Sequence, residues 1–313
     1  MPIKKTHSKL EQLINSLTIK EQQKTFLRGK INEFYNEIRN ISQYQMPIWS
    51  NIYLSVNQYI LERFWYNNSF DRGIFIKNRF DIDLYFVYSK DMLQNTTDLN
   101  NNDWNNYPNE QNRITGDFLF ELLYSNLKSF NYYHRMEMKL LKDPPYGHAI
   151  PIRLDYPGIS ILFDCIPAIE LSKGYLVIPN GLGGTKKINP NLEEKAFSKI
   201  NRKQSGKIIK FILLIKYWNF TWGKPIKGYI LERLAECIFD KIEIHTWNGA
   251  MKTFFNQAIH ILDKKKKLPD RVYNQYSILN EYSNKDIEGA LKILGEAASY
   301  AQKEKWKEIV DDF

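Results

Sequence analysis

Cysteine is scarce: Cys165 and Cys237 are the two in a chain of 313 residues. Two cysteines exclude a disulfide framework and a cysteine-based zinc site. Histidine is scarce too, and the five at positions 7, 134, 148, 245 and 260 show no metal-ligand spacing. Long apolar runs are missing. The densest, Ile208 to Ile215, is broken by Lys210 and falls far short of the roughly 20 residues a bilayer span needs. The N-terminal MPIKKTHSKL has no apolar signal-peptide core, and no internal repeat is visible. These gaps predict a soluble, cytoplasmic, reduced protein that works without a membrane.

What is present is enough for a sizeable core. Apolar residues make up 43% and aromatic residues 14%, which excludes disorder as the main state. The net charge of +9 and pI near 9.2 favour an anionic partner, whether nucleotide phosphate, nucleic acid or an acidic surface. At roughly 150 residues per domain, the length fits one large domain or two intimate lobes.

Thr18-Ile19-Lys20-Glu21 fits a capping box and opens a helical pattern predicted over 18–42. A second helix is expected over 49–60. Leu61 to Tyr66 and Asp81 to Tyr88 are rich in β-formers and read as strands. Residues 95–112 contain eight Asn and a Pro, a composition that predicts a surface loop. A helix over 115–130 and strands over 148–155 and 159–166 follow, the strands joined by a turn at Tyr156-Pro157-Gly158. Helices are then expected over 203–220, 226–240, 247–263 and 285–301, so an α/β half precedes a helical half.

The chemistry centres on Asp81-Ile82-Asp83. Side chains alternate in a strand, so two carboxylates spaced by two share a face, about 7 Å apart along the chain. Like charges on an otherwise apolar strand resist burial, and a divalent cation between them removes that penalty. Mg²⁺, a hard ion taking carboxylate and phosphate oxygen, suits them, with Mn²⁺ as the alternative. Asp164 interrupts a second apolar strand. If that strand neighbours the first, three acids can hold two metals, one for an attacking hydroxyl and one for a leaving pyrophosphate. D-x-D alone is a weak signal, since an exposed strand edge with Asp164 capping a turn accounts for the same residues. Ser69, in the turn Asn68-Ser69 ahead of Asp71-Arg72-Gly73, has the composition of a phosphate-binding nest.

Ser69…Gly73…Asp81-Ile82-Asp83…Asp164 resembles the signature of the DNA polymerase β-like nucleotidyltransferases. Asp164-Cys165-Ile166-Pro167-Ala168 is similar to the branch holding the oligoadenylate synthetases, cyclic GMP-AMP synthase and their bacterial relatives, the CD-NTases. Lys216-Tyr217-Trp218-Asn219 and Gly228-Tyr229-Ile230-Leu231-Glu232 look like two further elements of that family. The resemblance covers about residues 20–305. It implies that Asp81, Asp83 and Asp164 are metal-binding and catalytic. It also implies that Lys216 contacts the donor triphosphate, that Tyr229 stacks on its base, and that Asn68, Ser69 and Gly228 line the nucleotide. Two departures stand out: Asn68 replaces the usual Gly before Ser69, and Gly228 replaces the usual Ser before Tyr229.

The implied fold is α+β and two-lobed. Residues 1–170 would form the N-terminal helix and a mixed-sheet catalytic core, and 171–313 a helical lobe completing the nucleotide cleft. The implied activity joins nucleoside triphosphates (ATP, GTP or pyrimidine donors) into a cyclic di- or trinucleotide that acts on a separate effector in antiphage signalling. Nucleic acid is not required. Alternatives are a template-independent RNA nucleotidyltransferase of the CCA-adding or poly(A) type, and a catalytically silent nucleotide sensor.

Overall fold

The computed structural model describes residues 2–18, 20–44, 61–66, 81–88, 116–134, 138–140, 149–156, 159–171, 174–180, 184–223, 225–273 and 276–310. They form two compact units. The expected helix over 49–60, the Asn-rich stretch over 95–112, and Asn68, Ser69 and Gly73 lie outside the described residues.

The first unit, from Lys20 to Pro190, is built on a mixed sheet. Its described strands are β1 (Leu61–Tyr66), β2 (Asp81–Tyr88), β3 (Met138–Leu140), β4 (Ile150–Tyr156), β5 (Ile159–Glu170), β6 (Leu176–Pro179) and β7 (Thr185–Ile188). The order is β1-β2-β5-β4-β3, with β6 pairing β5 beyond the end of β4, and β7 pairing β6. Among these strands β2–β5 is the parallel pair and the other pairings are antiparallel. Pro167 falls where β4 has ended and β6 has not begun. Among the described residues that stretch of β5 is paired on one side only, and a missing amide is tolerated there.

β2 is central, and Leu84 to Tyr88 are buried on both of its faces. This is why its sequence reads as a continuous apolar run after the acids. Two helices, α2 (Glu21–Tyr44) and α3 (Gly116–His134), pack in this unit. Phe34 of α2 stacks on Phe163 of β5 with ring centroids 5.5 Å apart. The opposite face carries a smaller cluster of Tyr85, Val87, Ile166, Ala168, Leu176 and Ile178.

The second unit contains α1 (Pro2–Leu17) and the chain from Asn191 onward. Its helices include α4 (Pro190–Lys203), α5 (Lys207–Thr221), α6 (Gly228–Phe239), α7 (Trp247–His260) and α8 (Asn284–Gln302). The core is α5, whose Ile208, Phe211, Ile212, Leu214, Ile215 and Trp218 are buried against the surrounding helices. α8 opens with a capping box in which Ser283 and Asp286 satisfy each other's amides.

Two sequence expectations need correction here. The capping box read at Thr18–Glu21 is absent. The Thr18 hydroxyl donates to the Ile14 carbonyl at 2.8 Å and so closes the end of α1. α1 itself was not anticipated, although Leu10, Leu13, Ile14 and Leu17 form a helical stripe buried in the helical core. The boundary also differs from the division expected at 170/171. β6 and β7 extend the sheet to Ile188, and α1 packs with the helical unit. Among the described residues, no helix is long and apolar enough to cross a membrane.

Gly116 shows how tightly α3 is seated. A Cβ added there would lie 2.1 Å from the Gly184 carbonyl oxygen and 3.3 Å from the Pro179 Cα, both backbone atoms. Gly29, exposed in the middle of α2, would meet nothing within 4 Å. Gly116→Ala is therefore expected to destabilise by about 1–3 kcal/mol through overpacking. Gly29→Ala should stabilise by about 0.5–1 kcal/mol through helix propensity. Urea denaturation of the two variants, with opposite shifts in midpoint, checks both.

Candidate active site

The acids come together through strand register. β2 and β5 run parallel with Asp83 opposite Asp164, and Asp81 opposite Leu162. Paired residues on neighbouring strands, about 4.8 Å apart, direct their side chains to the same face. Asp83 and Asp164 are therefore side by side. They sit at one end of the face whose next positions, Tyr85, Val87, Ile166 and Ala168, form the small apolar cluster. Asp81 stands two residues earlier in the same strand. The side chains of Asp83 and Asp164 are half-buried, and Pro151 of β4 lies opposite Asp164 on its other side.

This donor set fits a hard divalent cation. Two carboxylates at adjacent register positions repel each other, and oxygen-ligated Mg²⁺ or Mn²⁺ relieves that repulsion. Among the described residues, which include the side chains of Asp83 and Asp164 but not that of Asp81, no group of three or more His, Cys, Asp or Glu has metal-ligating geometry. The neighbouring Cys165 is fully buried on the other face. Burial first, and the Asp164 charge second, push its thiol well above its usual range, so it stays protonated.

In the helical unit, Lys216 lies near the end of α5, otherwise a buried helix. Its ammonium is 2.6 Å from Glu232 Oε1 of α6. A Cβ added at Gly228 would lie 3.7 Å from Lys216 Cε, so the lysine runs beside the first turn of α6. Lys227, the N-cap of that helix, makes no side-chain cap hydrogen bond. Tyr229 is half-buried, its hydroxyl donating to Asp270 Oδ2 at 3.2 Å, with the Arg271 guanidinium over its ring at 5.6 Å. Burial, then the charges of Glu193 and Asp270, push the phenol well above its usual range despite Arg271 and Arg233.

Sequence reasoning missed the ionic cluster behind these residues. Arg271 pairs with Glu236 through two hydrogen bonds, one of them Nε to Oε2 at 2.9 Å. It also lies 3.3 Å from Glu193 and 3.6 Å from Glu232. Arg233 bonds to Glu236 and to the Pro269 carbonyl. Burial by itself would lower the Arg271 guanidinium. The charge and hydrogen bonds of Glu236, then the charges of Glu193 and Glu232, outweigh it and hold the group well above its usual range. The signal was there in α6: Glu232, Arg233 and Glu236 interrupt an apolar helix, and charges in such positions demand partners.

No protein-family model matches the chain. A stretch of 141 residues is 30% identical to a Bacillus cereus (strain VD146) protein named a probable cyclic nucleotide synthase. It covers 42% of this chain and 38% of that relative, well under two thirds of its length. The likeness in fold is far more extensive. E. coli MS115-1 CdnC solved with ATP superposes with a TM-score of 0.66 at 12% identity, over 97% of this chain and 96% of that one. CdnC in its complex with HORMA-deltaN gives 0.65 at 14% identity, with the same coverage of both chains. Elizabethkingia meningoseptica CdnE, a cyclic dinucleotide synthase solved with GTP and Apcpp, gives 0.56 at 10% identity over 90% and 98%. The chain has the CdnC and CdnE fold. The α+β, polymerase β-like architecture expected from the sequence is borne out, and so is the resemblance to the CD-NTases.

The ionic cluster has a direct consequence for stability. Glu236 has no exposed surface and sits between Arg233 and Arg271. Glu236→Gln keeps the shape but removes the charge facing two guanidinium groups. It is expected to cost about 3–5 kcal/mol, as for a broken buried ion pair. Equilibrium unfolding in urea measures this, and an unchanged midpoint would mean that the cluster contributes no stability.

Proposed function

We propose that the protein is a metal-dependent nucleotidyltransferase that joins nucleoside triphosphates into a cyclic di- or trinucleotide and releases pyrophosphate. In this reading the product is a second messenger that acts on a separate effector in antiphage signalling. One observation carries the reading: Asp83 stands in register beside Asp164 on a parallel strand pair. It is supported by a fold shared over 97% of the chain with CdnC solved with ATP. The name of the partial sequence relative, and the GTP and Apcpp bound to CdnE, support the same substrate class. ATP and GTP are the leading donors, with pyrimidine nucleotides also admitted.

The reaction is attack by a ribose 2′- or 3′-hydroxyl on the α-phosphorus of a donor triphosphate. A new P–O bond forms, the α–β bridging bond breaks, and the hydroxyl proton and pyrophosphate depart. Asp83 and Asp164, with Asp81 two residues earlier, would hold two Mg²⁺ or Mn²⁺ ions. Such ions, when bound, neutralise triphosphate charge and make the hydroxyl more acidic. The acids lie on strands fixed by ladder hydrogen bonds, so their spacing is set before substrate arrives. Lys216 and the first-turn amides of α6 at Gly228 and Tyr229 would bind triphosphate oxygens. The Tyr229 ring would stack on the base, an interaction open to any base because each has a π-face. Ser69 and Asn68 keep the phosphate-nest role that the resemblance implies.

Incubation with four labelled nucleoside triphosphates and Mg²⁺, followed by phosphatase, is expected to leave a small resistant product. A ladder would instead identify a template-independent polymerase, and absence of product would overturn the catalytic reading. Asp164→Asn and Asp83→Asn should each lower kcat by about 10³, or about 4 kcal/mol of barrier. For Asp164→Asn, donor affinity and melting temperature should barely change. A well-folded variant with unimpaired turnover would remove that acid from the chemistry.

A further inference from the structure

Lys216 is not waiting with an idle charge. Its ammonium is engaged with Glu232, and a lysine drawn away from a carboxylate that is only 5% exposed would leave that carboxylate without its nearest cation. Leaving a buried charge uncompensated is strongly unfavourable. The structure supplies a second cation. The other oxygen of Glu232 is 3.6 Å from Arg271 Nη2, and Arg271 is itself fixed by Glu236 and Glu193.

We infer that Glu232 and Arg271 form a charge hand-off that lets Lys216 leave its carboxylate partner for a polyphosphate. Without phosphate, Glu232 holds Lys216. When phosphate oxygens take the ammonium, Glu232 turns to Arg271 and stays compensated. The cluster is balanced for this: Lys216, Arg233 and Arg271 face Glu193, Glu232 and Glu236. Arg271 is thus a positioning residue that acts on phosphate binding through Glu232. The inference rests on the proposed triphosphate role of Lys216.

The two members of the hand-off carry opposite signs. Glu232→Gln removes the anion that competes with phosphate for Lys216, so phosphate should bind more tightly. Arg271→Gln removes the alternative partner, so Glu232 should hold Lys216 more firmly and phosphate should bind more weakly. A purely structural cluster predicts losses from both. In the Glu232→Gln/Arg271→Gln double variant Lys216 is released whether or not Arg271 is present, so the defect of the single Arg271 variant should be rescued.

The test is calorimetric titration of the whole protein with inorganic tripolyphosphate in Mg²⁺, which reports the phosphate site independently of base. Glu232→Gln should tighten binding about tenfold and Arg271→Gln weaken it about tenfold, since unit charges a few ångströms apart in protein interact by more than that equivalent. If Arg271→Gln does not fold, Glu232→Gln alone decides, and an affinity that it does not raise overturns the hand-off. Lys216→Ala separates the two ideas. An unchanged affinity in that variant overturns the triphosphate role of Lys216, and the hand-off with it. Weakening by Lys216→Ala without tightening by Glu232→Gln, or without rescue in the double variant, overturns the hand-off alone.

Discussion

The parallel register between β2 and β5 is the constraint on which the catalytic reading depends. Position 83 is opposite 164, so odd residues of β2 share a face with even residues of β5. The other parity holds Leu84 and Phe86 on β2 and Phe163 and Cys165 on β5, all buried. A slip of one residue would turn Asp83 toward the Phe34–Phe163 stack. That would bury a carboxylate among aromatic rings, at a cost of several kcal/mol without a partner. The apolar half of the alternation therefore fixes where the acids go. Fold stability and acid placement are set by the same pairing.

The helical unit solves a different electrostatic problem. Its α5–α6 region is apolar enough to exclude water from Glu236 and nearly so from Arg271 and Glu232. Charges in that setting persist only with near-ideal partners. Glu236 receives both arginines, while Glu232 is shared between Lys216 and Arg271. Glu236 is thus enclosed by two arginines, while Glu232 at the edge has two different cations in reach. That edge is also where Lys216 and the first turn of α6 meet.

Much of this was legible in the sequence, and the rest was hidden for identifiable reasons. β2, β5 and the cores of α5 to α8 follow from apolar periodicity, a local signal. The adjacency of Asp83 and Asp164 does not, because it depends on a pairing across 81 positions (164 − 83) that no local pattern encodes. Thr18-x-x-Glu21 matched a capping box by composition, yet the same hydroxyl can close the helix before it, and the buried stripe of α1 made that outcome the stable one. β6 and β7 have four residues each, too short for alternation to stand out from a linker. The ionic cluster joins Arg271, outside any helix, to residues 35 and 78 positions away, so Glu232, Arg233 and Glu236 looked like isolated charges on the apolar α6.

Gly228 stands in the first turn of α6, beside the Lys216 side chain. The family pattern places a serine there, and its loss removes one hydroxyl from the proposed triphosphate contacts. Nothing in the backbone demands glycine at this position, since it does not have the positive φ seen at Gly174, Gly206 and Gly223. A Cβ would instead lie 3.7 Å from Lys216 Cε, in van der Waals contact with the part of the chain that must swing if the ammonium changes partners. Glycine leaves that space open beside the methylene. In the proposed reading, the departure omits a hydroxyl contact and leaves room beside a lysine that would pass between Glu232 and phosphate. In the proposed reading the first turn of α6 would meet triphosphate with backbone amides and the Lys216 ammonium, without the side-chain hydroxyl of the pattern that the sequence resembles.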